Sequence, residues 1–275
     1  MTDGYYFLCI NGYLAPSDGY PKAKAAAMKA LNLDDSLGEA HTSLANIMLI
    51  FDWNFSGAEH EFKRALKLNP GSLDVYFPYL MCLVATGRFD DAIAGFKRAV
   101  ELDPASPANY VNLGGWGYQF AGRYDESILQ IKKGLDMDPS ILYGQLFLAS
   151  AYALKGMYEE AIAQADKVLS AQPAAEDLQI LSFLGWVYAV SGRQEKARTL
   201  LNRMLELRTR RYVDAYLIGD VYSGLGEKDK AFECLNRAYE EHAGQMIFIK
   251  IDPWNKNLHS DPRYKELLKK MSLEK

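Results

Sequence analysis

Residues 109–139 read NYVNLGGWGYQFAGRYDESILQIKKGLDMDP, and this stretch decides how the rest of the chain is interpreted. A small residue, a tyrosine, a glycine and a proline recur 34 residues later at the same spacing, first as Gly115, Tyr118, Gly122 and Pro139 and then as Ala149, Tyr152, Gly156 and Pro173. A fixed period of this length is typical of an architecture built from stacked repeats. The period therefore has to be interpreted before any local motif.

The same period predicts seven copies of one unit, numbered here from repeat 1 to repeat 7. They begin near Gly4, Glu39, Leu73, Ala108, Leu142, Leu178 and Tyr212. The predicted boundaries are 4–38, 39–72, 73–107, 108–141, 142–177, 178–211 and 212–242, followed by a C-terminal segment, 243–275. Repeat 1 is degenerate, since Asp35 stands where a proline is expected. Terminal repeats of such arrays are commonly atypical.

These positions resemble the tetratricopeptide repeat, a helix-turn-helix unit of about 34 residues. The resemblance covers nearly the whole chain. It implies an all-α fold: a right-handed α-solenoid, or superhelix, of about seven pairs of antiparallel helices, called A and B within each repeat, with a C-terminal capping segment.

The recurring residues have physical roles in such a unit. Glycine can adopt the left-handed conformation where helix A stops, and it stands there as Gly87, Gly122, Gly156, Gly192 and Gly226. Alanine fits the crowded start of helix B, as Ala58, Ala92, Ala161, Ala197 and Ala231. Proline lacks an amide hydrogen and ends helix B, as Pro70, Pro104, Pro139 and Pro173.

Several stretches depart from this pattern. Trp53 replaces the turn glycine of repeat 2, and we interpret it as a structural plug more readily than as a contact site, because aromatic rings bury a large area. Residues 15–21 predict a turn-rich loop, and residues 174–177 contain an insertion of two residues. Helix B of repeat 6 is predicted to continue through 208–211, whose arginines we interpret as a solvated helix end rather than as a site for an acidic partner.

The composition excludes some classes of function. The chain has 275 residues with 31 Lys and Arg against 35 Asp and Glu, and the net charge of -4 argues against a broad nucleic-acid surface. Three isolated cysteines, Cys9, Cys82 and Cys234, indicate neither a disulfide framework nor a metal site. No secretory signal or membrane-spanning run is visible, so we expect a cytoplasmic location or, alternatively, the extracytoplasmic part of a membrane-anchored regulator.

No pattern of catalytic residues is evident. The four histidines, at 41, 60, 242 and 259, lack metal-ligand spacing. The acidic pairs at 90–91, 159–160 and 240–241 fit exposed helix faces. We therefore predict a protein that is not an enzyme and that uses no cofactor and no metal.

The resemblance places a ligand groove on the A helices, which line the concave face in that family. Carried over residue by residue, the predicted groove residues are Phe77, Met81, Asn109, Asn112, Trp116, Gln119, Tyr143, Leu146, Gln179, Ser182, Trp186, Tyr216 and Asp220. Trp116 and Trp186 fit packing between neighbouring A helices equally well.

This groove is rich in aromatic and amide side chains and poor in charge. Some relatives bind a terminal carboxylate with lysine, arginine and asparagine, but here Asn112 is the single match. We therefore expect a peptide or partner-protein segment with apolar anchors, bound by a scaffold that is a monomer or a weak homodimer. The sequence names no particular partner.

A closer resemblance rests on residues 51–55, on 226–232 and on the end of the chain, where Asp252-Pro253 precedes Ser260-Asp261-Pro262. These look like the C-terminal repeat array of bacterial multidomain regulators. The resemblance implies an alternative function, as the sensory or regulatory module of a serine/threonine kinase, a winged-helix transcription regulator or a nucleotide cyclase.

The C-terminal segment is predicted to cover the apolar face of repeat 7, because a solenoid needs polar caps for solubility. Asp261 and Pro262 predict the start of a last helix through Met271. A second interpretation, that this segment docks in the groove as a ligand would, is less favoured by the sequence.

Overall fold

The computed structural model describes residues 2–10, 12–171 and 176–273. Its α-helices are α1 (Thr2–Ile10), α2 (Pro16–Leu33), α3 (Gly38–Ile50), α4 (Phe55–Leu68), α5 (Leu73–Ala85), α6 (Phe89–Leu102), α7 (Pro107–Asn112), α8 (Tyr124–Met137), α9 (Leu142–Leu154), α10 (Tyr158–Ala171), α11 (Leu178–Val190), α12 (Gln194–Leu207), α13 (Ala215–Gly224), α14 (Lys228–Glu240) and α15 (Pro262–Lys270). A π-helix, Leu113–Gln119, continues α7, and two short 3₁₀ helices, Gly244–Phe248 and Pro253–Leu258, lie between α14 and α15. The described part of the chain contains no strand.

Odd-numbered helices from α1 to α13 are the A helices, and even-numbered helices from α2 to α14 are the B helices. The turns between them confirm the role predicted for glycine. Five turn glycines have φ between 74° and 82°: Gly87, Gly122, Gly156, Gly192 and Gly226. At the first of them, Arg88 N donates to Leu83 O and Gly87 N donates to Val84 O, so the last carbonyls of α5 are satisfied.

Small residues allow helices to approach closely, both within a repeat and between neighbouring repeats. The five predicted alanines at the starts of B helices are fully buried: Ala58, Ala92, Ala161, Ala197 and Ala231. A Cβ at Gly185 would lie 2.9 Å from a methyl carbon of Val221, and one at Gly114 would lie 2.8 Å from Ser127 O. Larger side chains at these positions would therefore push neighbouring helices apart.

Two sequence predictions differ from the structure, and a third concerns residues that the structure does not describe. The stretch 15–21 is not a loop, because α2 begins at Pro16, where a proline without an amide hydrogen is tolerated, and it continues past Pro21. Helix α12 does not continue through 208–211; it ends at Leu207, and the following residues form a turn. Pro173 and the first half of the predicted insertion at 174–177 lie outside the described residues.

The array closes on itself, so that repeats 1 and 2 contact repeat 7. Trp53 adopts φ 52°, the left-handed conformation of the glycine it replaces, and its ring stacks on His242 at 4.5 Å and on Tyr239 at 5.2 Å between centroids. His242 Nδ1 lies 2.9 Å from Phe51 O. The plug interpretation of Trp53 is thus supported, and this plug packs against the far end of the array.

The segment 244–258, called the tail segment below, connects the three hydrophobic cores of the molecule. Phe248 packs with the core of repeats 1 to 4, and Trp254 packs with the core of repeats 4 to 7. Met246, Ile249 and Leu258 belong to a third core, beneath α14 and α15. The helix α15 covers repeat 7 as expected, with Asp261 accepting from Arg263 N at 3.0 Å, whereas the tail segment runs back across the A helices.

Candidate functional site: the concave face

The A helices form the concave face of the array, and the tail segment lies against part of it. Phe248 stacks on Trp116, with ring centroids 5.6 Å apart, and contacts Phe120 at 5.5 Å. Trp254 meets Phe183 edge-on at 4.3 Å and stacks on Trp186 at 5.5 Å. Two aromatic residues of the tail segment are therefore held by the A helices of repeats 4 and 6.

Hydrogen bonds also join the tail segment to the A helices of repeats 6 and 7. Trp186 Nε1 donates to the main-chain oxygen of Trp254 at 3.2 Å. Ser223 Oγ donates to Asn257 Oδ1 at 2.7 Å, and Asn257 Nδ2 donates to Ser223 O at 2.8 Å. The first of these bonds reaches the main chain of the tail segment, and the other two join the side chain of Asn257 to Ser223 on α13.

A buried polar cluster ties the tail segment to α13. The hydroxyl of Tyr216 donates to Asp252 Oδ2 at 2.7 Å. The amide of Asn255 donates to Asp220 Oδ1 at 2.8 Å and lies 3.3 Å from Asp252 Oδ2. Since all four side chains are at least 96% buried, their hydrogen bonds are protected from competition with water.

Burial changes the protonation of this cluster. It raises the pKa of Asp252 to about 6, against the lowering effect of the hydrogen bonds from Trp254, Tyr216 and Asn255. Burial, followed by the nearby charge of Asp252, raises the pKa of Asp220 well above its ordinary value. Burial therefore favours the protonated, uncharged form of both carboxyl groups, whereas the hydrogen bonds donated to Asp252 favour its ionised form.

The predicted groove residues fall into three groups in the structure. Leu146, Gln119 and Ser182 are fully buried: Gln119 Nε2 donates to Ser150 Oγ at 2.7 Å, and Ser182 Oγ donates to Leu217 O at 2.9 Å. These two polar side chains join the A helices of neighbouring repeats. They belong to the interior, where a partner would not reach them.

A second group contacts the tail segment, and we call it the covered strip: Trp116, Trp186, Tyr216 and Asp220. The sequence did not favour this arrangement, since the docked tail was its less favoured interpretation. The missed residues are Phe248, Asp252, Trp254 and Asn255. Their one visible signal was the presence of two aromatic residues in a segment without the repeat period.

A third group stays accessible. Phe77 is 36% exposed and Tyr143 is 47% exposed, while Asn112 and Gln179 are half-buried. We call these four residues the open strip; they lie toward the first half of each A helix from repeat 3 to repeat 6. Met81 and Asn109 are half-buried beside them, and Asn109 Nδ2 donates to Ala99 O at 3.0 Å.

The open strip carries little charge. The A helices of repeats 3 to 6 contain no lysine or arginine, and Asp74 is their single acidic residue. Within the described ranges, no group of three or more His, Cys, Asp or Glu is placed to hold a metal ion. The helices found there do not combine the length and apolarity needed to cross a membrane.

Solved structures with the same arrangement of helices are known. A tetratricopeptide repeat protein from Parabacteroides merdae is similar over 98% of this chain and 96% of its own, with a TM-score of 0.58 and 14% identity. Yeast Tom70 is similar over 93% of this chain and 55% of its own, with a TM-score of 0.55 and 14% identity. A thermophilic protein of Thermus thermophilus is similar over 74% of this chain and 98% of its own, with a TM-score of 0.52 and 19% identity.

Family models extend the likeness to the sequence. Three models, each described as Tetratricopeptide repeat, match residues 54–115, then 113–177 together with 158–212, and finally 215–241. No curated protein matches the chain. Since the matched residues span most of the array and the helix pairs are those of solved relatives, this chain belongs to the tetratricopeptide repeat family.

Proposed function

We propose that this protein is an interaction scaffold that binds a peptide or a segment of a partner protein on the open strip of its concave face. Tetratricopeptide repeat proteins bind protein partners, and solenoids use their concave surfaces for this purpose. The repeat fold of this family is typically non-catalytic, so the proposed role is binding without chemistry.

One observation carries the proposal: the concave face already holds an irregular segment, its own tail segment. It does so with aromatic rings from A helices, such as Trp116 and Trp186, and with a hydrogen bond from Trp186 Nε1 to the main-chain oxygen of Trp254. The open strip presents the same types of group, as Phe77 and Tyr143 beside Asn112 and Gln179. Aromatic side chains frequently dominate binding energy at interfaces, and amides can bond an extended backbone.

The covered strip is less suited to an external partner. A partner that used Trp186, Tyr216 or Asp220 would first have to remove Trp254 and Asp252 from buried positions. That exposure would cost about 1.5–3 kcal/mol for each large apolar side chain moved into water. The open strip has no such competitor among the described residues, so binding there needs no rearrangement of the tail segment.

A capture experiment with the full chain tests this proposal. Wild type, a double variant (Phe77→Ala, Tyr143→Ala) and a control variant (Tyr158→Ala) are used as bait in lysate of the source organism. Tyr158 is a good control because it is also 47% exposed but lies on the B helix α10. Circular dichroism must first show equal helicity in all three proteins.

A protein captured by wild type and by the control, but not by the double variant, is the expected result. Equal capture by all three proteins would place the partner on another surface and would contradict the proposal. Loss of capture with Tyr158→Ala alone would also contradict it, since the partner would then contact the convex side.

A further inference from the structure

The array has an edge at which A helices begin and B helices end, and the first four repeats carry a row of exposed apolar side chains there. The six large side chains of this row are between 38% and 82% exposed. Soluble proteins seldom leave contiguous apolar surface open to water unless it is a site of interaction. We call this row the apolar edge: Leu33, Leu37, Leu68, Leu73, Leu102 and Met137.

Contacts between helix ends make the row continuous. A Cβ at Gly38, the first residue of α3, would lie 3.4 Å from Leu68 Cβ, so the end of α4 lies beside Leu37. In repeat 4, a Cβ at Gly134 near the end of α8 would lie 2.7 Å from Pro107 O at the start of α7. In both repeats the B helix therefore ends beside the start of its own A helix, and a short link leads from there to the next A helix.

The fold by itself does not explain why the row stops after repeat 4. Four of the six residues stand at the end of a B helix, at one position of the repeat. A requirement of the repeat unit would recur with the period in all seven repeats. The equivalent positions of repeats 5 to 7 hold Ala171, Leu207 and Glu241. The first is small, the second is only 5% exposed and the third is charged, so large exposed apolar side chains are confined to the first four repeats.

Carboxylates border the apolar edge. Asp34, Asp103 and Asp138 each follow a residue of the row directly in the sequence. Each accepts a hydrogen bond from the backbone amide two residues further on, at 2.9, 3.2 and 2.9 Å respectively, which fixes the carboxylate beside the row. Repeat 2 is the exception, because Lys67 precedes its row residue and Asn69 follows it.

These carboxylates keep their charge. The hydroxyl and then the backbone amide of Ser36 lower the pKa of Asp34 by their hydrogen bonds. Ser140 lowers the pKa of Asp138 in the same way. Within the part of the chain that the structure describes, no ion pair forms at these two groups or at Asp103. The border of the apolar edge is therefore predominantly negative.

The charges distinguish between the surfaces that could cover the apolar edge. Pairing with the same edge of a second copy would set carboxylates against carboxylates, which is unfavourable. An anionic membrane surface would be repelled for the same reason. A helix with an apolar face bordered by lysine or arginine would cover the row and also neutralise its border.

We propose that the apolar edge is a docking surface for a partner protein that presents an amphipathic helix with a basic border. Most of this surface consists of the ends of B helices, which do not line the concave face. The inference therefore goes beyond the proposed function and does not depend on it.

The test uses the full chain and a fluorescein-labelled peptide of about 18 leucine and lysine residues, patterned to form an amphipathic helix. Fluorescence anisotropy measures its dissociation constant with wild type, with a double variant (Leu102→Ser, Met137→Ser) and with a control (Leu129→Ser). Leu129 is a matched control because it is 64% exposed on α8 but lies away from the end of that helix. We expect the double variant to bind about tenfold more weakly and the control to bind like wild type.

A second pair of variants tests the charge requirement. Asp103→Asn with Asp138→Asn removes two carboxylates, while each asparagine can still accept the hydrogen bond from the backbone amide. Glu159→Gln with Glu160→Gln removes the same number of charges at the opposite edge, where α10 begins. We expect the first pair to weaken binding by about threefold and the second to leave it unchanged. A peptide with glutamate in place of lysine should bind more weakly than either variant binds the lysine peptide.

Circular dichroism must show equal helicity in all variants, and sedimentation velocity gives the oligomeric state of each. Equal binding by wild type and by the Leu102→Ser, Met137→Ser variant would overturn the inference. An equal loss with both pairs of charge variants would also overturn it, since the attraction would then be non-local. If wild type forms a dimer that this serine variant abolishes, a second copy covers the apolar edge and the proposed partner is wrong. Loss of peptide binding with Phe77→Ala but not with the serine variant would place the peptide on the concave face and would contradict the proposal.

Discussion

The covered strip and the open strip are two parts of one concave face, built from the same set of A helices. Trp116 and Trp186 on the covered strip pack against rings of the tail segment, whereas Phe77 and Tyr143 on the open strip face solvent. The repeat pattern gives no reason for this difference, since all four stand at positions that face the groove in the family. The comparison teaches that facing the groove and being available to a partner are separate properties.

The two strips should differ most in their contribution to the free energy of unfolding. Trp254→Ala removes a ring buried between Phe183 and Trp186, and we expect the free energy of unfolding to fall by about 3–5 kcal/mol. Urea unfolding followed by circular dichroism measures this change. Trp254→Phe is the control and should recover most of the loss. A decrease below about 1 kcal/mol for the alanine variant would mean that the tail segment is a loosely held ligand and not part of the core.

The second largest effect should be a pH dependence of the free energy of unfolding that arises at the covered strip. The folded-state pKa of Asp252, about 6, lies above the ordinary value of about 3.9, so the folded state binds more protons than the unfolded state. The free energy of unfolding contributed by this group is therefore fully present below about pH 4 and is lost as the pH rises to about 6, by about 1–3 kcal/mol.

Asp252→Asn removes this titration, but its amide nitrogen then faces one of the donors that the carboxylate accepts from, Trp254 N or the hydroxyl of Tyr216. The comparison therefore concerns the pH dependence of the free energy of unfolding and not its absolute value. Unfolding in urea at a series of pH values is measured for both proteins. The variant should lose less stability than wild type over this interval, even though other carboxyl groups, such as that of Asp166, have lowered pKa values and act in the opposite direction. Identical profiles for the two proteins would contradict the assignment.

The contact between repeats 2 and 7 should contribute less to the free energy of unfolding. Removing it tests whether the covered strip depends on that contact. Trp53→Ala and Trp53→Gly both remove the stacking on His242 and should lower the free energy of unfolding by about 1–3 kcal/mol. The backbone at Trp53 has φ 52°, so glycine avoids strain that alanine keeps. We expect the glycine variant to be the more stable of the two by about 1 kcal/mol, and the reverse order would show that the turn relaxes.

The open strip should give the smallest change in stability. Tyr143→Ala removes a half-exposed ring whose aromatic contact is Phe147 at 6.5 Å, so the free energy of unfolding should change by less than about 1 kcal/mol. Thermal unfolding beside Tyr158→Ala measures this directly. A much larger loss would mean that Tyr143 supports the fold, and the open strip would then be no more available than the covered strip.

Much of the fold could be predicted from the sequence because each repeat is specified locally. The turn glycines, such as Gly122, need a left-handed backbone, and the alanines, such as Ala161, need to be small beside a neighbouring helix; both requirements recur with the period. Asp261 and Pro262 likewise predicted the start of α15 from short-range capping. The stretches 15–21 and 208–211 were interpreted wrongly, because proline tolerance near a helix start and the last turn of a helix depend on neighbours that the local pattern does not contain.

The candidate site was less accessible to this reasoning. Family positions located the concave face, but the interior roles of Gln119 and Ser182, which bond across neighbouring repeats, have no local signature. The position of the tail segment was still harder to predict from sequence, because the contact between Phe248 and Trp116 joins residues that are far apart in the chain. Whether such residues meet depends on the curvature of the array over several repeats. A short stretch of sequence does not specify that curvature.

The amino-acid sequence by itself determined the repeat unit, its phase, its turns and the identity of the helices that line the concave face, because these follow from spacing and from steric demands within one or two helices. Only the tertiary structure decided which part of that face is free. The array curves until repeat 7 meets repeats 1 and 2, and the tail segment then fills one strip with Phe248 and Trp254. Long-range apolar contacts of this kind are selected by burial and shape, which do not repeat along the chain.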